Sequence, residues 1–206
     1  MIAAATALLL LGGAIALFLN PVYVSFEQAR TGAAGFTGYT TPQLELLTTQ
    51  ILGDLVLWQG GFDETVDGAP VLKPAEIQHM LDVRGVFAGL FALVAAAAAT
   101  LVVAFARARG AGTREAAWRA VAAGARGLAI GVAVVGVFAV LAFDAAFEVF
   151  HELFFPAGSY TFDPRTDKLV QLFPEAFWSE TTIFVGVVIL ALAVGTWWLA
   201  RRRGAG

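Results

Sequence analysis

No cysteine occurs in the 206 residues. That excludes a thiol nucleophile, a disulfide framework and thiolate metal ligands. Charge is scarce as well: 14% of residues are charged against 59% hydrophobic, and mean hydropathy is +0.76, well above that of a soluble domain. Only two of the 13 basic residues are lysine, and histidine occurs twice, at His79 and His151. No serine sits in a nucleophile-elbow motif, so a covalent acyl-enzyme finds no support.

What is plentiful is apolar sequence. Four runs, at about 2–19, 85–105, 127–147 and 182–200, are long enough to cross a hydrocarbon layer roughly 30 Å thick as helices of about 20 residues. Helices are expected because an isolated strand in lipid leaves backbone groups unpaired. The first run has no basic residue before its apolar core, and Asn20-Pro21-Val22-Tyr23 is not a small-residue cleavage site, so it is read as a retained span. The expected fold is an all-α membrane protein, one integral domain over 1–206 with a small, mainly helical extracytoplasmic cap.

Basic residues set the expected orientation. Arg107, Arg109, Arg114, Arg119 and Arg126 fall between the second and third runs, and Arg201, Arg202 and Arg203 follow the fourth. The positive-inside rule then puts both termini and the 106–126 loop in the cytoplasm, with 20–84 and 148–181 outside. Fourteen of the sixteen acidic residues fall in those two outer regions, the exceptions being Glu115 and Asp144. No aromatic–basic stripe follows the arginines, so no nucleic-acid partner is expected.

Local signals organise the outer regions. Thr41-Pro42 reads as a helix start with Thr41 as N-cap, followed by Leu44, Leu47, Ile51, Leu52 and Leu55 at helical spacing. Asp67-Gly68-Ala69-Pro70 reads as a turn. Lys73-Pro74 opens a helix that nothing interrupts until Phe105, so it must project beyond the bilayer, and His79 lies on that projection. The run from Gly127 to Phe155 is likewise read as one helix too long for the hydrocarbon alone, with His151 near its outer end. Both imidazoles are therefore expected at similar height, near the outer headgroups. The aromatic-rich 148–181 segment reads as interfacial.

Helical spacing places Glu76 and Asp82 on the face of His79, and Asp144 and Glu148 on the face of His151, with Glu152 adjacent. Phe143, Phe147, Phe150 and Phe154 line the opposite face, suited to lipid or packing. Each histidine alone is more simply an interfacial anchor or half of a satisfied polar pair. Two such sites flanked by carboxylates favour chemistry, and an ionisable Asp144 inside a span adds to that. The ordinary reading of Asp144 is an ion pair, with Arg84 nearest in depth. Two functions fit. Glu76-x-x-His79 and Glu148-x-x-His151 share the spacing of di-iron carboxylate ligands, with Glu45, Asp54 or Glu180 as further donors, which would make a metal-binding or scaffold membrane protein. Alternatively, imidazoles with a pKa near 6.5 oriented by carboxylates suit acid–base catalysis. Which histidine is acid and which is base stays open.

Glu76-x-x-His79-Met80-x-Asp82-Val83, then Phe150-His151-x-x-Phe154-Phe155, Tyr160-x-Phe162-Asp163-Pro164, Asp167 and Phe173-Pro174-Glu175 together resemble the lipoprotein intramolecular transacylase (Lit) family. The resemblance covers nearly the whole chain. It implies a bacterial cell-membrane enzyme that moves the sn-2 acyl chain of a lipoprotein's diacylglyceryl-cysteine onto the cysteine α-amine, giving a lyso-form lipoprotein. It also implies action at the extracytoplasmic face, with two essential histidines that match His79 and His151. The expected partners are the diacylglyceryl-modified lipoprotein N-terminus and membrane lipids, with no metal or other cofactor. The candidate site is therefore His79 and His151 as catalytic groups, with Glu76, Asp82, Arg84, Asp144, Glu148 and Glu152 as orienting or substrate-binding groups.

Overall fold

The computed structural model describes residues 1–205. In chain order the elements are α1 (Ile2–Phe18), α2 (Pro21–Arg30), α3 (Ala33–Thr37), α4 (Thr41–Leu57), β1 (Thr65–Val66), β2 (Ala69–Pro70), α5 (Pro74–Arg107), α6 (Ala111–Leu141), α7 (Phe143–Phe154), α8 (Lys168–Leu172) and α9 (Glu175–Arg203). α5, α6 and α9 are each long and apolar enough to cross a membrane; α1 with α2, bent by 66° at Leu19-Asn20, makes a fourth if the pair is counted as one span. Residues 1–17, 89–141 and 183–206 form one compact unit, and 18–88 with 142–182 form another.

The first unit is built from α1, the later part of α5, α6 and most of α9. Its contacts use small residues. A Cβ on Gly12 would run into Val94, and one on Gly124 would run into the Ala3 backbone, so α1 is approached more closely than alanine allows. Val121, Ala122 and Ala200 are buried beside Trp118 and Trp197. The terminal arginines lie over indole rings, Arg202 at 3.5 Å from the Trp198 centroid and Arg203 at 5.0 Å from that of Trp118. Val134, Val137, Val140 and Leu141 stay exposed along α6, as a lipid-facing surface requires. Gly124→Val should lower stability by about 1–3 kcal/mol, because a backbone rather than a flexible side chain must yield; thermal unfolding of the purified protein in detergent would measure this.

The second unit has its own core. Leu44, Leu47, Ile51 and Leu55 of α4 bury one helical face with Phe62, Leu72, Met80, Leu169 and Leu172. The expected stripe is thus observed, but the cap lies one residue earlier than Thr41. Thr40 is the N-cap, and its N–H and hydroxyl both donate to Gln43 Oε1 at 2.9 Å. Of the turn expected over Asp67-Gly68-Ala69-Pro70, only Asp67-Gly68 turns. It closes a two-stranded hairpin in which Ala69 and Pro70 form β2, with Thr65 opposite Pro70 and Val66 opposite Ala69. Asp67 (φ 52°) and Gly68 (φ 79°) are both left-handed, the backbone of a type I′ turn. A hairpin this short leaves little strand-like periodicity to read.

Two helix boundaries differ from expectation. The α5 helix is continuous over 34 residues, about 51 Å, as its uninterrupted pattern predicts. The run expected as one helix from Gly127 to Phe155 breaks at Ala142 (φ −147°, ψ 59°), which divides α6 from α7. No proline or glycine marks that break. At its other end α6 begins at Ala111, so most of the expected 106–126 loop is helical. Alanine-rich sequence between the arginines explains this, since Ala and Arg are both strong helix formers.

Candidate active site

His79 sits in the second turn of α5 and His151 in the last turn of α7, and both are more than nine-tenths buried within their unit. Their rings face each other with centroids 6.0 Å apart and planes 23° from parallel. Aromatic walls hold them. Phe155 lies 4.8 Å from His79 and 5.4 Å from His151, Phe162 lies 5.6 Å from His79, and Phe147 and Tyr160 lie 4.1 Å and 5.0 Å from His151.

The two imidazoles are held differently. His151 Nδ1 is 2.7 Å from the Phe147 carbonyl oxygen, one helical turn back. A carbonyl only accepts, so Nδ1 carries hydrogen and the neutral ring presents a lone pair at Nε2. His79 Nδ1 is buried with no hydrogen-bond partner among the described residues. Burial lowers the His79 pKa to about 4, the neighbouring His151 adding to the shift and Asp82 opposing it. His79 lies ahead of the apolar 85–105 stretch and is a neutral ring at physiological pH.

A stability consequence follows. Unfolded His79 binds a proton below its ordinary value of 6.5, whereas the folded side chain stays neutral down to about 4. Between those values the unfolded chain holds more protons, so acidification destabilises the fold there, by up to about 1.4 kcal/mol per pH unit. Above pH 6.5 this dependence vanishes. Glu64, whose pKa burial raises to about 7, contributes with the opposite sign in the same range. The His79 slope should therefore appear in the difference between wild type and His79→Gln when unfolding is followed from pH 7.5 to 4.

The carboxylates expected around the histidines fall into separate roles. Glu76, 1% exposed, is turned to the backbone. Its Oε2 accepts the Lys73 N–H at 2.7 Å and its Oε1 the Leu169 N–H at 2.6 Å, tying the start of α5 to α8. Asp82 accepts from Gln78 at 3.1 Å. Glu148 accepts from the Tyr160 hydroxyl at 3.2 Å, beside His151. Asp144 lies in the first turn of α7, where its charge suits the helix N-terminus, and Glu152 is exposed on the same helix. Arg84 does not pair with Asp144. Its guanidinium donates to the Gly60 carbonyl at 2.9 Å and lies over the Trp58 and Phe62 rings at 4.6 and 5.3 Å.

The di-iron pattern is not assembled. Among the described residues no three His, Asp or Glu side chains converge as metal ligands. Glu76 is occupied by amides, Asp54 accepts the Phe62 N–H at 2.7 Å, Glu180 pairs with Arg30, and Glu45 is exposed. Two ring contacts were not singled out from spacing alone. Phe147 stands four residues before His151, a helical interval that puts it against that ring, whereas Phe162 reaches His79 only through the fold. Phe147, Phe150 and Phe154 were expected on the face opposite His151, suited to lipid or packing, and two of them are not confined to it. Phe147 and Phe150 contact His151, while Phe150 and Phe154 remain half exposed.

Long apolar helices and a buried, ring-walled histidine pair define a multi-pass helical membrane protein. The chain belongs to the lipoprotein intramolecular transacylase Lit family, whose model matches residues 1–178. It is accordingly a transacylase. Among solved structures, the in meso structure of the membrane integral lipoprotein intramolecular transacylase Lit from Bacillus cereus is 16% identical, with a TM-score of 0.80 over 98% of this chain and 92% of that one. Two histidine-substituted forms of that protein also match. The arginine form is 16% identical with a TM-score of 0.73 over 98% and 88% of the two chains, and the alanine form is 17% identical with 0.70 over 98% and 89%. At such identity the likeness is one of fold. No curated protein sequence matches.

Proposed function

We propose that this chain moves the sn-2 acyl chain of a lipoprotein's diacylglyceryl-cysteine onto the α-amine of the same cysteine, using His79 and His151 for proton transfer and no acyl-enzyme. The observation that carries this reading is the pairing of the only two imidazoles, 6.0 Å apart, with the His151 Nε2 lone pair left free by the Phe147 carbonyl. Donor ester and acceptor amine belong to one molecule, so holding the headgroup supplies the proximity. An α-ammonium of pKa near 8 needs only a modest base. One ammonium proton is first lost to water, freeing the amine lone pair. As the nitrogen attacks the ester carbonyl, His151 Nε2 takes a second N–H proton, the C–N bond forms, the ester C–O bond breaks, and the imidazolium returns that proton to the departing glyceryl oxygen. His79, kept neutral, hydrogen-bonds that oxygen. Asp82 and Glu148 are the orienting carboxylates best placed for this. Arg84 is engaged with Gly60, Trp58 and Phe62, and Glu76 acts through the backbone; Asp144 and Glu152 are kept as further orienting candidates.

The orientation belongs to the same proposal. Residues 20–84 and 148–181 lie outside the cell as a mainly helical cap, both termini lie in the cytoplasm, and 1–206 works as one membrane-integral domain. Eight arginines concentrated at 107–126 and 201–203 support it. Substrate and product are isomers, so intact mass does not separate them. Expression in a host that makes only diacyl lipoproteins, followed by fragmentation of N-terminal lipopeptides, should locate an acyl group on nitrogen and show loss of the free amine. A free amine on every lipopeptide would defeat the proposal.

A further inference from the structure

Transacylation through a tetrahedral adduct needs a donor for the oxygen that becomes negative. Arg84, the side-chain cation nearest His79 in sequence, is committed to Gly60 and to the Trp58 and Phe62 rings. Among the described residues, the rings in contact with the two imidazoles are Phe147, Phe150, Phe155, Phe162 and Tyr160. Only Tyr160 bears a hydroxyl.

A turn puts it there. The Ser159 N–H and hydroxyl both reach back to the Pro156 carbonyl, at 3.1 and 2.8 Å, and Gly158 takes φ +82°, a backbone that disfavours any side chain. The chain reverses and returns Tyr160 to α7, its ring 5.0 Å from His151 and its hydroxyl 3.2 Å from Glu148 Oε1, twelve residues earlier. Glu148 and His151 are three residues apart on one helix, so the phenol is aimed along the face that carries the base. That 3.2 Å contact is long for a hydroxyl-to-carboxylate bond, leaving the phenol free to exchange partners.

We infer that Tyr160 is the oxyanion donor of the reaction: its hydroxyl leaves Glu148 and hydrogen-bonds the ester carbonyl oxygen as negative charge develops there. The phenol keeps its proton throughout. Nitrogen supplies the proton that His151 moves, one C–N bond forms and one C–O bond breaks. Desolvation and the Glu148 charge raise the Tyr160 pKa, which keeps the group a donor at neutral pH.

The inference rests on the histidine reading above, and the test separates the two. Full-length enzyme in lipid vesicles is given a synthetic diacylglyceryl lipopeptide and its sn-2 thionoester analogue, whose sulfur accepts hydrogen bonds poorly. Tyr160→Phe preserves the ring beside His151. It should lower kcat by about 10²–10³-fold with KM within about threefold and an unchanged melting temperature. The wild type should be slowed by the thionoester far more than Tyr160→Phe is. A wild-type kcat in Tyr160→Phe would overturn the inference, and so would an equal thionoester effect in both enzymes. If Tyr160→Phe is fully active while His151→Phe is dead, only the Tyr160 assignment falls. If His151→Phe is also active, the histidine reading falls with it.

Discussion

Replacing His151 by phenylalanine is expected to lower the rate of acyl transfer by about 10²–10⁴-fold, the usual contribution of a positioned proton-transfer group. Phenylalanine is the informative choice because His151 is packed among Phe147, Phe155 and Tyr160, with ring centroids 4.1–5.4 Å away. A ring of similar size keeps those contacts and removes only the nitrogens. A histidine that merely filled the aromatic cluster would tolerate the change, and the fold would if anything be steadier without a polar ring. Single-turnover rates on a synthetic diacylglyceryl lipopeptide, read beside the melting temperature, separate the two roles. Activity within a factor of ten of wild type would end the case for His151 as base.

The largest effect on stability is expected from Glu76→Ala. Glu76 is fully enclosed, and its two oxygens accept one N–H from Lys73 and one from Leu169. Hydrogen bonds to a charged acceptor are worth about 1.5–3 kcal/mol each, and removal would leave the Leu169 amide buried and unpaired, so a loss of about 3–5 kcal/mol is expected. Glu76→Gln should fall between: it keeps one accepting oxygen but turns an NH₂ toward an amide N–H. Because α8 depends on this carboxylate, hydrogen exchange at Leu169 should accelerate in both variants. Unchanged exchange together with a loss below 1 kcal/mol would show that other contacts hold α8. Activity should fall only as far as the displaced α8 disturbs His79, three residues from Glu76 on α5.

Particular residues show where local reasoning worked and where it stopped. Leu44, Leu47, Ile51 and Leu55 are buried as their spacing demanded, and α5 runs unbroken because nothing from Ala75 to Phe105 interrupts it. The two histidines were legible as imidazoles with carboxylates close by in sequence. Their partners were not. Glu76 shares a helical face with His79, yet its acceptor capacity is used on an amide 93 residues away. Arg84 matched Asp144 in depth, but stacking on Trp58 and Phe62 took it elsewhere. The break at Ala142 has no sequence mark, because a single residue leaving helical geometry requires neither proline nor glycine when packing beyond it compensates.

The amino-acid sequence by itself determined that the chain carries helices able to cross a membrane, how its charges divide among the segments between them, and that it holds two imidazoles. Hydropathy, arginine placement and helical period are written locally, a few residues at a time, so they survive without knowledge of contacts. Tertiary structure alone decided that the rings meet, that Phe147 leaves His151 with a lone pair at Nε2, and that Tyr160 is turned back beside it. Those outcomes depend on which buried donors and acceptors come within about 3 Å of each other, and distant segments settle that only once they pack.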